Sequence, residues 1–128
     1  MAGAGSIGVM SPWGVMNPLN QEPLLSLESI PDGALAEVQA VLDGEPESLI
    51  VHRSGDVVRA WLNVCPHAGR RLDWSPGQFL KSREGQLVCA AHGASFELEN
   101  GLCVAGPCRG DALRAVPVEV RDGQVWLT

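Results

Sequence analysis

Glycine and proline set the first limit on what this chain can fold into. With 15 Gly and 9 Pro in 128 residues, turns recur too often for long helices, and one domain is the expected unit. From Leu24 onward the apolar residues fall in short runs bounded by Gly, Asp and Pro, which is the pattern of strands. Residues 24–27 form one run. Residues 34–42, with Leu35, Val38, Val41 and Leu42, suit either a strand or a helical turn, and a strand is expected. Residues 48–52 and 56–62 flank the turn pair Ser54-Gly55, and residues 115–121 and 124–127 flank Asp122-Gly123, so both read as hairpins. Trp61 and Trp126 then sit on strands and are expected in the core. The fold class is all-β.

Between the hairpins the character changes. Residues 63–112 hold Cys65, His67, Cys89, His92, Cys103 and Cys108 in loops, with short apolar runs at 86–89 and 95–97 and at most a brief helical turn at 70–74. This reads as a small subdomain inserted into a β framework that spans 24–128. Residues 1–23 read as an N-terminal arm, either loose or making an oligomer contact through Trp13, Val15 and Met16. No basic residue precedes Arg53, so no secretory leader is expected, and no apolar run nears the roughly twenty residues of a membrane span.

Charge divides along the chain in the same place. Seven of the 15 acids and none of the 9 basic residues lie in residues 1–52; the remainder is close to neutral and carries every Cys and two of the three His. A net charge of −6 with a single lysine, Lys81, argues against nucleic acid as a partner, because neutralising phosphates needs clustered Lys and Arg.

Two mixed ligand pairs carry the chemistry: Cys65-Pro66-His67 and Cys89-Ala90-Ala91-His92. Each supplies a thiolate, suited to a soft or ferric iron centre, and a neutral imidazole. Gly69 and Gly93 follow, where the chain must bend and can turn backbone N–H groups toward an anion. The same donor atoms could hold zinc tetrahedrally as a structural site, although zinc fingers place the two Cys in one pair and the two His in another. A catalytic thiol has no sequence feature in its favour.

The two boxes, together with Gly106-Pro107, resemble the ligand loops and proline loop of Rieske [2Fe–2S] proteins, over about residues 48–127. The resemblance implies an antiparallel β-sandwich with a small inserted cluster-binding subdomain and one [2Fe–2S] cluster per chain. It implies Cys65 and Cys89 on one iron, His67 and His92 on the other, and Gly69, Gly93, Gly106 and Pro107 as loop support. Replacing two thiolates by imidazoles leaves the oxidised centre neutral, so it accepts an electron more easily than an all-cysteine cluster, in a range of roughly −150 to +300 mV. High-potential members carry a disulfide where this chain has Arg70 and Ala91, and hydroxyl donors where it has Ala94 and Phe96. A potential at the low end of that range is therefore expected.

The implied function is that of a soluble, cytoplasmic Rieske-type ferredoxin, passing single electrons from a flavin-dependent reductase to a terminal oxygenase or similar redox protein, and performing no catalysis itself. A chain of this length is not expected to be an oxygenase catalytic subunit. The alternatives are a small Rieske subunit of a nitrite reductase and a zinc-stabilised structural or binding module. Cys103 and Cys108 are expected as buried free thiols beside the cluster, with a loop disulfide as second choice. His52 is expected half-buried or at the surface without a metal role, and Trp74 packed under the first ligand loop. Arg70, Arg71 and Arg109 are either a solvated loop or a basic collar that steers an acidic partner.

Overall fold

The architecture, seen in a computed structural model that describes residues 22–66, 69–90 and 93–128, is antiparallel β throughout apart from one short 3-10 turn, Leu27–Ser29. The predicted arm lies outside the described residues up to position 21. One sheet has β1 (Leu25–Ser26) against β10 (Gln124–Leu127), which pairs in turn with β9 (Val118–Arg121). A second has β2 (Leu35–Leu42), β3 (Glu45–Ser54) and β4 (Val57–Leu62) in sequence order. The third is a meander of β5 (Leu80–Lys81), β6 (Leu87–Val88), β7 (Ser95–Phe96) and β8 (Cys103–Ala105).

Residues 34–42 are a strand, as expected, and 70–74 form no helix. Both expected hairpins are present, with Ser54 paired to Val57 and Arg121 to Gln124. A third, absent from the expectation, joins β2 to β3: Leu42 pairs with Glu45 around Asp43-Gly44, both at positive φ (53° and 83°). That is the geometry of a tight hairpin turn and the same Asp-Gly signal as at 122–123.

Strand β3 divides the interior. Its neighbours alternate across the pleat, so Leu49 and Val51 enter one cluster with Ile30, Ala60, Leu62 and Val116, and Ile50 enters another with Trp61 and all four cysteines. All three β3 side chains are fully buried, each contributing about 1.5–3 kcal/mol. A central strand covered on both faces has no solvent side, which is why 49–51 reads as an unbroken apolar run.

Trp61 is in the core as expected; Trp126 is not. The Trp126 ring is half-buried at the surface, with its indole N–H donating to the Arg121 carbonyl (3.2 Å) and the Arg121 guanidinium 4.4 Å above it. Its neighbour Val125 takes the fully buried place. Trp74 is 60% exposed in a small hairpin closed by Ser75 and Gln78, not packed under the ligand loop. His52 is buried, with cationic Lys81 and Arg59 nearby. Burial first, and those two charges next, lower its pKa, against a backbone hydrogen bond at Gly33 and the Asp32 charge, which raise it.

Gly101 is where the two halves of the cysteine-side core meet. A Cβ there would stand 2.6 Å from the Trp61 indole nitrogen, and its φ is +76°. Gly101→Ala should cost about 2–4 kcal/mol, from left-handed strain plus overpacking. Gly33→Ala, at φ +82° with open space around it, should cost only the strain, about 1–2 kcal/mol. Urea unfolding of the two variants measures the difference, and equal losses would refute the packing account.

Candidate metal centre

Two loops built the same way project from the second and third sheets. In the first, the Cys65 N–H donates to the Arg70 carbonyl (2.7 Å) and the Gly69 N–H to the Cys65 carbonyl (2.8 Å). In the second, the Cys89 N–H donates to the Ala94 carbonyl (2.7 Å) and the Gly93 N–H to the Cys89 carbonyl (2.9 Å). Each loop therefore closes over the same number of residues, with a glycine of positive φ (67° and 75°) at the same place. The unequal Cys-x-His and Cys-x-x-His spacings conceal loops of equal length. His67 takes the second place after its cysteine and His92 the third, and both side chains lie outside the described residues, as do Ala68 and Ala91.

The cysteines sit at the loop roots and are shielded from water, Cys65 at 0% and Cys89 at 1% exposure, against Leu72, Leu87, Ala94 and Phe96. The neighbouring backbone at Pro66, Gly69, Ala90 and Gly93 is exposed. A third loop closes on the second: a Cβ at Gly106 would stand 2.8 Å from the Ala94 Cα, so only glycine permits this approach. Pro107 beside it is exposed. Cys103 and Cys108 are buried and free, with their sulfurs 2.9 Å apart.

One organising residue had no place in the sequence reading. Asn63, 1% exposed and two residues before Cys65, accepts the Leu72 N–H on Oδ1 (2.8 Å) and donates from Nδ2 to the Ser48 hydroxyl (3.2 Å). It ties the exit of the first loop to β3. The Ala90 N–H, donating to the Leu72 carbonyl (3.3 Å), joins the second loop to the same point. A polar amide between a strand and a ligand cysteine was the available signal.

Residues 22–119 match the family model of the Rieske [2Fe-2S] domain. The chain belongs to the Rieske [2Fe–2S] family. Among its relatives, Oxidoreductase NdmD of Pseudomonas putida is 31% identical over 114 residues, 83% of this chain and 18% of that protein. The 3-phenylpropionate/cinnamic acid dioxygenase ferredoxin subunit of Photorhabdus laumondii is 28% identical over 110 residues, 86% of this chain and 95% of that protein. The ferredoxin of carbazole 1,9a-dioxygenase from Nocardioides aromaticivorans superposes with a TM-score of 0.64 at 26% identity, covering 84% of this chain and 95% of that one. The chain spans about a fifth of the length of the larger curated relatives it matches.

The family's cofactor is a [2Fe–2S] cluster, and the described residues of the Rieske loops fit it. Two buried thiols at the roots of twin loops offer sulfur donors away from water. The glycine contact at 106 brings a covering loop onto the same place.

Arg71 fits neither the solvated loop nor the basic collar of the sequence reading. The Arg71 guanidinium donates to Asp73 (2.7 and 3.0 Å) and to Glu37 (2.7 Å), and Glu37 also accepts the Ser48 hydroxyl (2.6 Å). Arg71 is thus a clamp from the first loop to β2, and its charge is met. Among the described residues Arg70 and Arg109 are exposed and pair with no carboxylate.

Burial alone would push the Asp73 carboxyl up. Hydrogen bonds from Arg71 and the Gly77 N–H, the Arg71 charge and a hydrogen bond from Asn63 together outweigh it and hold the group below the usual carboxylate range. A depressed native pKa contributes stability that is complete above the unfolded value, about 4, and is lost as pH falls through the native one. Wild type should therefore lose its advantage over Asp73→Asn as pH drops below about 4. Unfolding curves across that interval check this, and a constant difference between the two proteins would contradict it.

Proposed function

We propose that Cys65, His67, Cys89 and His92 hold one [2Fe–2S] cluster and that the chain is a one-electron carrier, a Rieske-type ferredoxin that performs no catalysis of its own. The donor would be a flavin-dependent reductase and the acceptor a terminal oxygenase or a similar redox protein. The observation that carries this reading is the pair of identically hydrogen-bonded loops, each with a buried cysteine at its root and a histidine in its span. The cysteine sulfurs lie inward, and imidazoles bound further along the loops would offer the side from which an electron can leave. Residues 63–112 would be the cluster-binding subdomain of a Rieske domain at 24–128, with Gly69, Gly93, Gly106 and Pro107 shaping the loops.

The face around the loop tips supports a docking role. Val64, Pro66, Ala90, Gly106 and Pro107 are exposed and uncharged, and Arg70 and Arg109 border them. Small apolar groups ringed by cations suit a brief encounter with an acidic, partly apolar partner face. Two of the relatives are ferredoxin components of dioxygenases, which supports an oxygenase as the acceptor. No helix among the described residues is long and apolar enough to cross a membrane. We place the protein in the cytoplasm, where Cys103 and Cys108 remain reduced.

Anaerobic purification with iron and acid-labile sulfide analysis tests the cofactor reading. Two of each per chain, and a rhombic EPR signal after dithionite, are expected; His67→Ala and His92→Ala should each abolish that signal. Zinc without sulfide would overturn the reading.

The docking reading predicts that Arg70→Glu and Arg109→Glu slow electron transfer to the acceptor about tenfold at low ionic strength, and much less once salt screens the rim. Stopped-flow kinetics across a salt series measures this. Rates that stay equal to wild type at every salt concentration would remove the basic rim from the mechanism.

A further inference from the structure

Two carboxylates share one guanidinium at the foot of the first ligand loop. The Glu37 side chain, from β2, is 14% exposed, and that of Asp73, just beyond the loop, 1%. Arg71 bonds both, and among the described residues no second cationic side chain pairs with either. The group therefore carries one negative charge that no paired cation balances.

Uncharged donors hold it in place. Oε2 of Glu37 accepts from the Ser48 hydroxyl (2.6 Å) and the Gln39 side-chain amide (2.9 Å) besides Arg71 (2.7 Å). Oδ2 of Asp73 accepts from the Gly77 N–H (3.1 Å) as well as from Arg71 (2.7 Å). Burial works against the Asp73 charge, but its bonds to Arg71 and Gly77 outweigh that and keep the carboxyl below its usual range. Charges so shielded from solvent are screened far less by salt than an exposed one such as that of Arg70.

The backbone that carries Arg71 and Asp73 is bonded to both ligand loops. The Arg70 carbonyl accepts the Cys65 N–H (2.7 Å), the Leu72 carbonyl accepts the Ala90 N–H (3.3 Å), and the Leu72 N–H donates to Asn63 (2.8 Å). The Leu72 side chain lies in the same buried cluster as Cys65 and Cys89. Charge at positions 71 and 73 thus sits beside the roots of both loops.

A neutral oxidised centre becomes an anion when it is reduced, and a fixed anion nearby opposes that step. We propose that Glu37 and Asp73 lower the reduction potential of the bound cluster through their unbalanced charge, and that Arg71 limits the effect by cancelling one of the two. The inference rests on the proposed ligation by Cys65, His67, Cys89 and His92. It gives a low potential a cause separate from the hydroxyls that positions 94 and 96 lack.

The test is the midpoint potential of the loaded protein, with iron and sulfide counted in every sample. Glu37→Gln and Asp73→Asn keep the side-chain shape and remove a negative charge, so each should raise the equilibrium constant for reduction about threefold to tenfold, tenfold being about 59 mV for one electron. Arg71→Gln removes the positive charge and should lower that constant. Ser48→Ala, which loosens the same network without a change of charge, should stay within about twofold of wild type. The two carboxylate shifts should keep most of their size in about 0.5 M salt. A second measurement needs no variant: the reduced-minus-oxidised infrared difference spectrum of the wild type should contain carboxylate stretching bands displaced by the field of the added electron.

A fully loaded Glu37→Gln or Asp73→Asn protein with an unchanged potential would overturn the inference and leave the carrier function standing. So would an Arg71→Gln potential that failed to fall, or a Ser48→Ala shift as large as those of the charge variants, since a loosened loop rather than charge would then set the potential. Absence of the carboxylate bands from the loaded wild type would overturn it too, even if no variant assembled a cluster. A wild-type protein that assembled no iron and sulfide would instead remove the proposed function, and this inference with it.

Discussion

Two-sided burial of β3 is the constraint on which the rest of the molecule depends. A strand with one wet face supports one core; β3 supports two, because Ile50 points one way and Leu49 and Val51 the other. The framework sheet of β1, β9 and β10 packs on the Leu49 side, where Leu25, Val118 and Leu127 meet that cluster. The cysteine loops pack on the Ile50 side. The cluster-binding region therefore has an independent floor, and the alternating pleat keeps the two cores from mixing.

That floor lets short loops hold a defined shape. Five-residue closures such as those at Cys65 and Cys89 have little hydrophobic surface of their own and are stabilised by backbone hydrogen bonds and by what they stand on. Asn63 and the Arg71 clamp anchor the first loop, the Ala90–Leu72 bond joins the second to it, and the Gly106 contact sets the third against the second. Each cysteine is at a loop root in the dry interior, while Pro66, Gly69, Ala90 and Gly93 are exposed. An electron carrier needs that combination: a low-dielectric pocket around charged sulfur and a short path to a partner.

Electrostatics is then distributed by packing rather than by proximity in sequence. Arg70 and Arg71 are neighbours, yet Arg71 is held by Asp73 and by Glu37 from β2, thirty-four residues away, while Arg70 is exposed with no carboxylate partner among the described residues. The acidic first part of the chain thus has a structural role, because one of its carboxylates locks the loop that carries the chemistry. Cys103 and Cys108 show the same principle. Their spacing alone allows a disulfide or a pair of free thiols; the fold buries both in the core that holds Cys65 and Cys89, with their sulfurs 2.9 Å apart.

Much of the β framework was legible because turn chemistry and pleat are local. Asp122-Gly123 and Ser54-Gly55 marked hairpins correctly, and the missed turn at Asp43-Gly44 carried the same signal. Alternation placed Trp61 in the core. It failed for Trp126, because Val125 takes the inward place on that strand and Trp126 the opposite face, where the ring lies at the surface against Arg121. Trp74 was misplaced because a loop aromatic has no periodicity to read. By itself, the sequence determined the all-β class and the family, since paired Cys/His boxes with their glycines are short-range patterns of atoms that a metal centre requires in order. Only the tertiary structure decided that the two boxes are loops of equal length, that Asn63 and Glu37 hold the first of them, and that Cys103 and Cys108 are buried side by side. Those facts depend on which distant strands share a face, and long-range packing leaves no local signature in the order of residues.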